Sequence, residues 1–159
     1  MSKKIILRKV PDKLKNPLIT NAKQISVYQQ ISMINQIYLN EEFEHKNDLT
    51  KLINKKINGY KSQDVKKQIL DKVNFIDFDK LIEKLVISKL RCYYCRQHTY
   101  LVYENKREPK QWTLDRLDNN LGHSNLNTVI CCLKCNLERR CANDENFKFG
   151  KQLRLIKKY

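Results

Sequence analysis

Residues 92–95 read CYYC, and residues 112–140 read WTLDRLDNNLGHSNLNTVICCLKCNLERR. These two pieces decide the fold. Cys92 and Cys95 form one C-x-x-C pair, Cys132 and Cys135 a second, with 36 residues between them. Each pair can present two thiolates from one turn, so together they close a tetrahedral zinc site with Zn–S distances of about 2.3 Å. The intervening segment is longer than in a zinc ribbon, so the metal is expected to staple the base of an inserted element. Cys131 competes with Cys132 for the fourth place, because its spacing to Cys135 is also allowed, and Cys141 reads as an idle thiol.

Within the insertion, Thr99 to Tyr103 is β-prone and residues 104–111, ENKREPKQ, form a charged loop. Trp112 to Leu117 reads as a strand and Asn127 to Cys131 as its partner, joined by the turn-rich Asp118–Leu126. A helix follows from Asn136 at the second cysteine pair. Strand, turn, strand and helix around zinc make a ββα unit. Folded so, Asp115 in the first strand and Asn136 after the second pair come near each other. A carboxylate and an amide carbonyl are hard oxygen ligands suited to one Mg²⁺ (or Mn²⁺) that also binds a substrate phosphate. That is the equipment for metal-assisted phosphodiester hydrolysis.

The pattern L-D-R-[LI]-D-N-x-x-G-[HY]-x-x-x-N-x-x-x-x-C-x-x-C-N, with the upstream C-x-x-C, resembles the HNH (His-Me finger, ββα-metal) endonucleases. The similarity is to their zinc-containing type, which includes phage endonuclease VII and small viral and intron-encoded members. It covers about 50 of the 159 residues. The resemblance implies a structural zinc on the four cysteines and a catalytic metal on Asp115 and Asn136. One position departs from the family. Where many members carry a general-base His after the strand Asp, this chain has Arg116, a poor base but a good phosphate ligand. His123 becomes the candidate base, since its imidazole can titrate near neutral pH, with Asp118 next. Asn127 is expected to pin the hairpin in support of the site. Arg116, Lys134, Arg139 and Arg140 are the expected phosphate contacts.

The rest of the chain is basic and helical in pattern. There are 32 Lys+Arg against 17 Asp+Glu, a formal charge of +15, divided as 19 against 10 in residues 1–91 and 13 against 7 in residues 92–159. Such a surplus points to a polyanion, because clustered cations bind phosphates with release of counterions. Residues 1–19 read as an extended arm or short strand. Apolar steps predict helices from Ile25 to Tyr38, over about 48–58 with Asn58-Gly59 as a stop, from Ser62 through Val73, and from Asp77 or Asp79 to Leu90. The tail, KQLRLIKKY, is either helical or frayed.

The expected architecture is therefore α+β: a helical basic region over 1–90, for DNA binding, docking or dimerisation, and a zinc-stapled nuclease-like domain over 91–159. No apolar run reaches the roughly 18 residues of a membrane span, and the short run Ile5-Ile6-Leu7 is no signal-peptide core. The expected setting is intracellular, where cysteines serve as metal ligands before disulfides. The leading expectation is an endonuclease of a virus or mobile element, acting on double-stranded or branched DNA. The alternatives are a zinc module that binds nucleic acid without cutting it, or an assembly subunit docking through residues 1–90.

Overall fold

A computed structural model of the chain describes residues 17–153. Residues 1–16 of the arm expected over 1–19 and the last six residues of the tail lie outside them; the described end of that arm lies in the helical turn Pro17–Thr20 and is not extended. Among the described residues the architecture is α+β, with six helices and a two-stranded antiparallel sheet. In chain order these are α1 (Pro17–Thr20), α2 (Val27–Tyr38), α3 (Lys46–Lys66), α4 (Phe78–Ser88), β1 (Trp112–Arg116), β2 (Thr128–Cys132), α5 (Leu133–Arg139) and α6 (Asp144–Gln152). A single 3-10 turn, Ala22–Gln24, lies between α1 and α2. No described helix is long and apolar enough to cross a membrane.

Local chemistry sets most helix starts. Ser26 and Gln29 form a reciprocal capping box at the head of α2. Asp77, rather than Asp79, caps α4 by accepting from the Lys80 amide at 2.8 Å. The structure corrects the sequence reading at α3, where two expected helices are one. Its buried stripe is Leu49, Ile53, Ile57, Tyr60 and Asp64, which continues through Asn58-Gly59 without a break. Gly59 sits on the open face, where an added Cβ would meet nothing within 4 Å. Glycine costs a helix about 1 kcal/mol, less than burial of the stripe on both sides of it returns. The helix stops instead at Gln68, whose φ of 57° is left-handed. Ile69, Leu70 and Val73 therefore fall outside it.

The β-prone stretch 99–103 also differs from expectation, forming one isolated bridge, Tyr100 with Gln111, and no strand of the sheet. The cause is a side chain. Gln30 of α2 is buried, and its Oε1 accepts from the backbone amides of Leu101 (2.7 Å) and Val102 (3.1 Å) while its Nε2 donates to the Ile25 carbonyl (3.0 Å). Amides satisfied by a side chain are not available to a strand ladder.

β1 and β2 pair in register from Trp112 opposite Cys132 to Arg116 opposite Thr128. Their long connection is held by Asn127, whose Oδ1 accepts from the Asp118 amide at 2.9 Å and whose Nδ2 donates to the Asp118 and Gly122 carbonyls. This is the pinning role expected of Asn127. The main apolar core runs from Leu18 and the N-terminal helices to Leu101, Trp112, Leu114 and Ile130 of the hairpin. It thus crosses residue 90. A second cluster gathers Tyr94 with the cysteines.

Two side chains of α3 reach the hairpin. Tyr60 Oη accepts from the Leu114 amide at 3.0 Å. Asp64, fully buried, accepts from the His123 amide (2.6 Å) and from His123 Nδ1 (2.6 Å), and the imidazole lies against the Tyr60 ring. Gly122 makes room for this approach, because a Cβ there would come within 2.6 Å of the Ile69 carbonyl and 2.8 Å of the Asp64 carboxylate. Removing one partner of a buried pair strands the other without water, at about 3–5 kcal/mol. Asp64→Ala and His123→Ala should each lose stability on that scale in chemical denaturation, and the double variant should lose much less than their sum. Additive losses would mean that the pair is not coupled.

Candidate metal centre

The turn after Leu90 and the junction of β2 with α5 bring four sulfurs into one place. The Sγ atoms of Cys92, Cys95, Cys132 and Cys135 all lie within 4.8 Å of one another, with Cys95 and Cys132 at 4.0 Å. These four could hold a metal ion such as zinc. The local frame is well tied. The Tyr93 amide donates to the Ile130 carbonyl at 2.9 Å, the Cys92 amide to the Gln97 carbonyl at 2.9 Å, and Cys132 caps α5 through its sulfur and the Cys135 amide (3.4 Å). Hydrogen bonds from Cys132 and Cys135 hold the Cys92 thiol far below its usual range, while hydrogen bonding to Cys132 and Cys92 pushes Cys135 far above it. A divalent cation binds such cysteines as thiolates, releasing their protons.

Cys131 is outside the group. It points to the other face of β2, beside Thr113 Oγ1 at 3.2 Å, and burial raises its pKa well above the usual value. Period-2 alternation along a strand accounts for this, since neighbours face opposite ways. Cys141 is exposed.

The seam between β1 and α5 holds the other expected site residues. Asp115 and Asn136 both turn into it. Asn136 Nδ2 donates to Thr113 Oγ1 (3.1 Å) and the Leu114 carbonyl (3.4 Å), so its carbonyl oxygen has no partner among the described residues. Asp115 is buried, and its Oδ2 accepts from the Tyr94 hydroxyl (2.6 Å) and Arg139 Nε (2.6 Å), with Arg139 also 3.4 Å from Oδ1. Burial and then the bond to Asp115 keep the Tyr94 hydroxyl protonated far above its ordinary range. Comparison with protein-family models, characterised proteins and solved structures finds no match to this chain.

The remaining expected residues divide. Arg139 does not project to solvent; it is 2% exposed and its guanidinium is bonded to Asp115 and to the Ala142 and Arg116 carbonyls. In this arrangement it cannot also contact a phosphate. Arg116 is likewise drawn in, donating to the Asn119 and Leu121 carbonyls across the turn. Arg140 and Lys134 are exposed, and so is Asp118. His123 sits on Asp64, and no described hydrogen bond or ion pair joins it to Asp115 or Asn136. Burial holds its imidazole below the usual pKa, against the opposing pull of Asp64.

Sequence reasoning missed Asp64 and Tyr94. Asp64 had a signal, because it continues the apolar stripe of α3 at helical spacing, where a carboxylate must find a buried partner. Tyr94 had none. Its hydroxyl reaches Asp115 across 21 residues of chain.

Two outcomes follow from this geometry. Elemental analysis should find one metal ion per chain, lost in Cys92→Ser and Cys135→Ser and retained in Cys131→Ala and Cys141→Ser. Metal loss in Cys131→Ala would move the fourth ligand to that residue. Arg139→Gln leaves Asp115 buried with half its partners gone, so it should cost about 3–5 kcal/mol in denaturation, whereas exposed Arg140→Gln should stay within about 0.5 kcal/mol of the parent.

Proposed function

We propose that this chain is a zinc-stapled endonuclease of the HNH type that hydrolyses phosphodiester bonds in DNA. The observation that carries the reading is the unit β1–β2–α5. A four-cysteine cluster sits where β2 enters α5, and one carboxylate and one unpartnered amide carbonyl share the seam between them. Four thiolates favour zinc over harder cations, and a closed set of four leaves no position for substrate, so the zinc is structural. Asp115 and Asn136 are the oxygen donors that would hold a Mg²⁺-type ion. Such an ion, when bound, supplies charge stabilisation to the phosphodiester and an activated water.

The protein's own residues prepare that seam. Arg139 places its positive charge against the buried Asp115 carboxylate, and Tyr94 makes the second contact. A metal ion at Asp115 must displace or share with this guanidinium. His123 is committed to Asp64, so its part in the proposal is to hold the hairpin on α3 rather than to take the proton from water. The surplus of cations draws the DNA to the protein.

A second reading has its own observation. The closed Asp115–Arg139 pair favours a module that binds nucleic acid without cutting it. Incubation with labelled linear, supercoiled and branched DNA, with Mg²⁺ or Mn²⁺ present or chelated, separates the two. Under the leading reading the parent protein cleaves only with metal, and Asp115→Ala abolishes cleavage while retaining zinc. Binding without cleavage in either metal would establish the second reading in its place.

A further inference from the structure

A groove of about 1230 Å³ runs along α5, with Cys95, Cys132 and Cys135 of the cluster in its lining. Its floor is apolar, formed by Pro109, Leu133 and Leu137, and Leu137 is 64% exposed. Leu133 and Leu137 are one helical turn apart and present a single apolar stripe that no described element covers. Arg107, Lys110 and Lys134 stand around this floor. The acidic residue in the lining, Glu138, is already neutralised by an ion pair with Lys151. The wall opposite α5 carries His98, whose ring Nδ1 is buried without a hydrogen-bond partner.

The groove is built into the backbone. The Leu133 amide donates to the Gln111 carbonyl and the Lys134 amide to the Pro109 carbonyl, both at 3.0 Å, so the charged loop is bonded to the first turn of α5. The Tyr100 amide meets the Lys110 carbonyl at 2.7 Å, and the Lys110 ammonium lies over the Tyr100 ring. The backbone carrying Lys110 and Lys134 is therefore fixed relative to the apolar floor.

We infer that this groove binds single-stranded nucleic acid, with bases against the apolar floor and backbone phosphates on Arg107, Lys110 and Lys134. A duplex turns its phosphates outward and keeps its base faces stacked, so it can satisfy the cations but leaves the floor wet. A single strand offers an unstacked apolar face and a charged backbone together. His98 adds a ring to the lining. The inference rests on the nucleic-acid part of the proposed function and gives the partner strand a place outside the β1–α5 seam. Cleavage at Asp115 would then act on DNA that has an unpaired segment held beside the zinc.

The test is a titration of labelled oligo-dT, and of a blunt hairpin duplex, against the full-length metal-loaded protein without added Mg²⁺. Oligo-dT should bind more tightly than the duplex. Combined Arg107→Gln, Lys110→Gln and Lys134→Gln should weaken it about tenfold or more and flatten the dependence of log K on log salt by about 0.7 for each phosphate no longer neutralised. Leu137→Ser should weaken it several-fold with the salt slope unchanged, since it removes floor and no charge. All four side chains are exposed, and thermal melts should match the parent. Unchanged oligo-dT affinity in both variants overturns the inference, as does equal or tighter binding of a poly-Glu peptide at the same groove, which would make the partner an acidic protein. Cleavage with Mg²⁺ is scored separately. A protein that cuts nothing but loses oligo-dT binding in these variants keeps the groove and drops the nuclease; one that cuts while the variants bind normally does the reverse.

Discussion

Four sulfurs drawn from two turns 36 residues apart meet in one cluster, and a metal ion bound there would close everything between them into a loop. The hairpin is only two strands of five residues each, and an isolated pair of that size is marginal in water. Three constraints make it persist: the sulfur cluster at one end, α5 across one face, and α3 across the other. A metal ion at the cluster would be the strongest of them. It would fix the start of α5, because Cys132 is at once a cluster member and the cap of that helix.

The second theme is charge buried on both faces of one thin sheet. Asp115 with Arg139 lies on the α5 side, and Asp64 with His123 joins the hairpin's loop to α3. Such pairs add little net stability, because desolvation offsets much of the attraction. What they add is register. A one-residue slip of β1 would turn Asp115 toward the apolar core and Leu114 toward Arg139, leaving two charges unpaired. The same reasoning explains the sharing of work on β1, where Trp112 and Leu114 pack into the main core while Thr113 and Asp115 face α5.

The cysteine pairs, the hairpin to within one residue at its strand ends, the start of α4 at one of two aspartates and the pinning by Asn127 were legible in the sequence because each is encoded within a few residues. Spacing of C-x-x-C, alternation of apolar residues and turn chemistry are local signals. The ambiguity between Cys131 and Cys132 was not resolvable by spacing, and strand alternation resolves it once the register is known. What the sequence hid was long-range. Gln30 takes the amides of Leu101 and Val102 and so prevents a strand that propensity favours. Gly59 reads as a stop, yet tertiary burial carries α3 through it. Arg139 reads as a surface cation because it stands in an arginine pair at a helix end, and the partner that buries it lies 24 residues earlier.

Because Tyr60 and Asp64 are fastened to Leu114 and His123, the two halves of the sequence are not separable modules. A fragment beginning at residue 91 would keep every cysteine, both strands and α5. It would also expose Trp112, Leu114 and Ile130 to water and leave the Leu114 amide and the His123 ring without their α3 partners. Deletion mapping at that point would report loss of fold as if it were loss of activity. A piece that retains the hairpin's environment must reach back through α3 and α2 as well, since Leu18 and Ile34 share its core and Gln30 holds the Leu101 and Val102 amides.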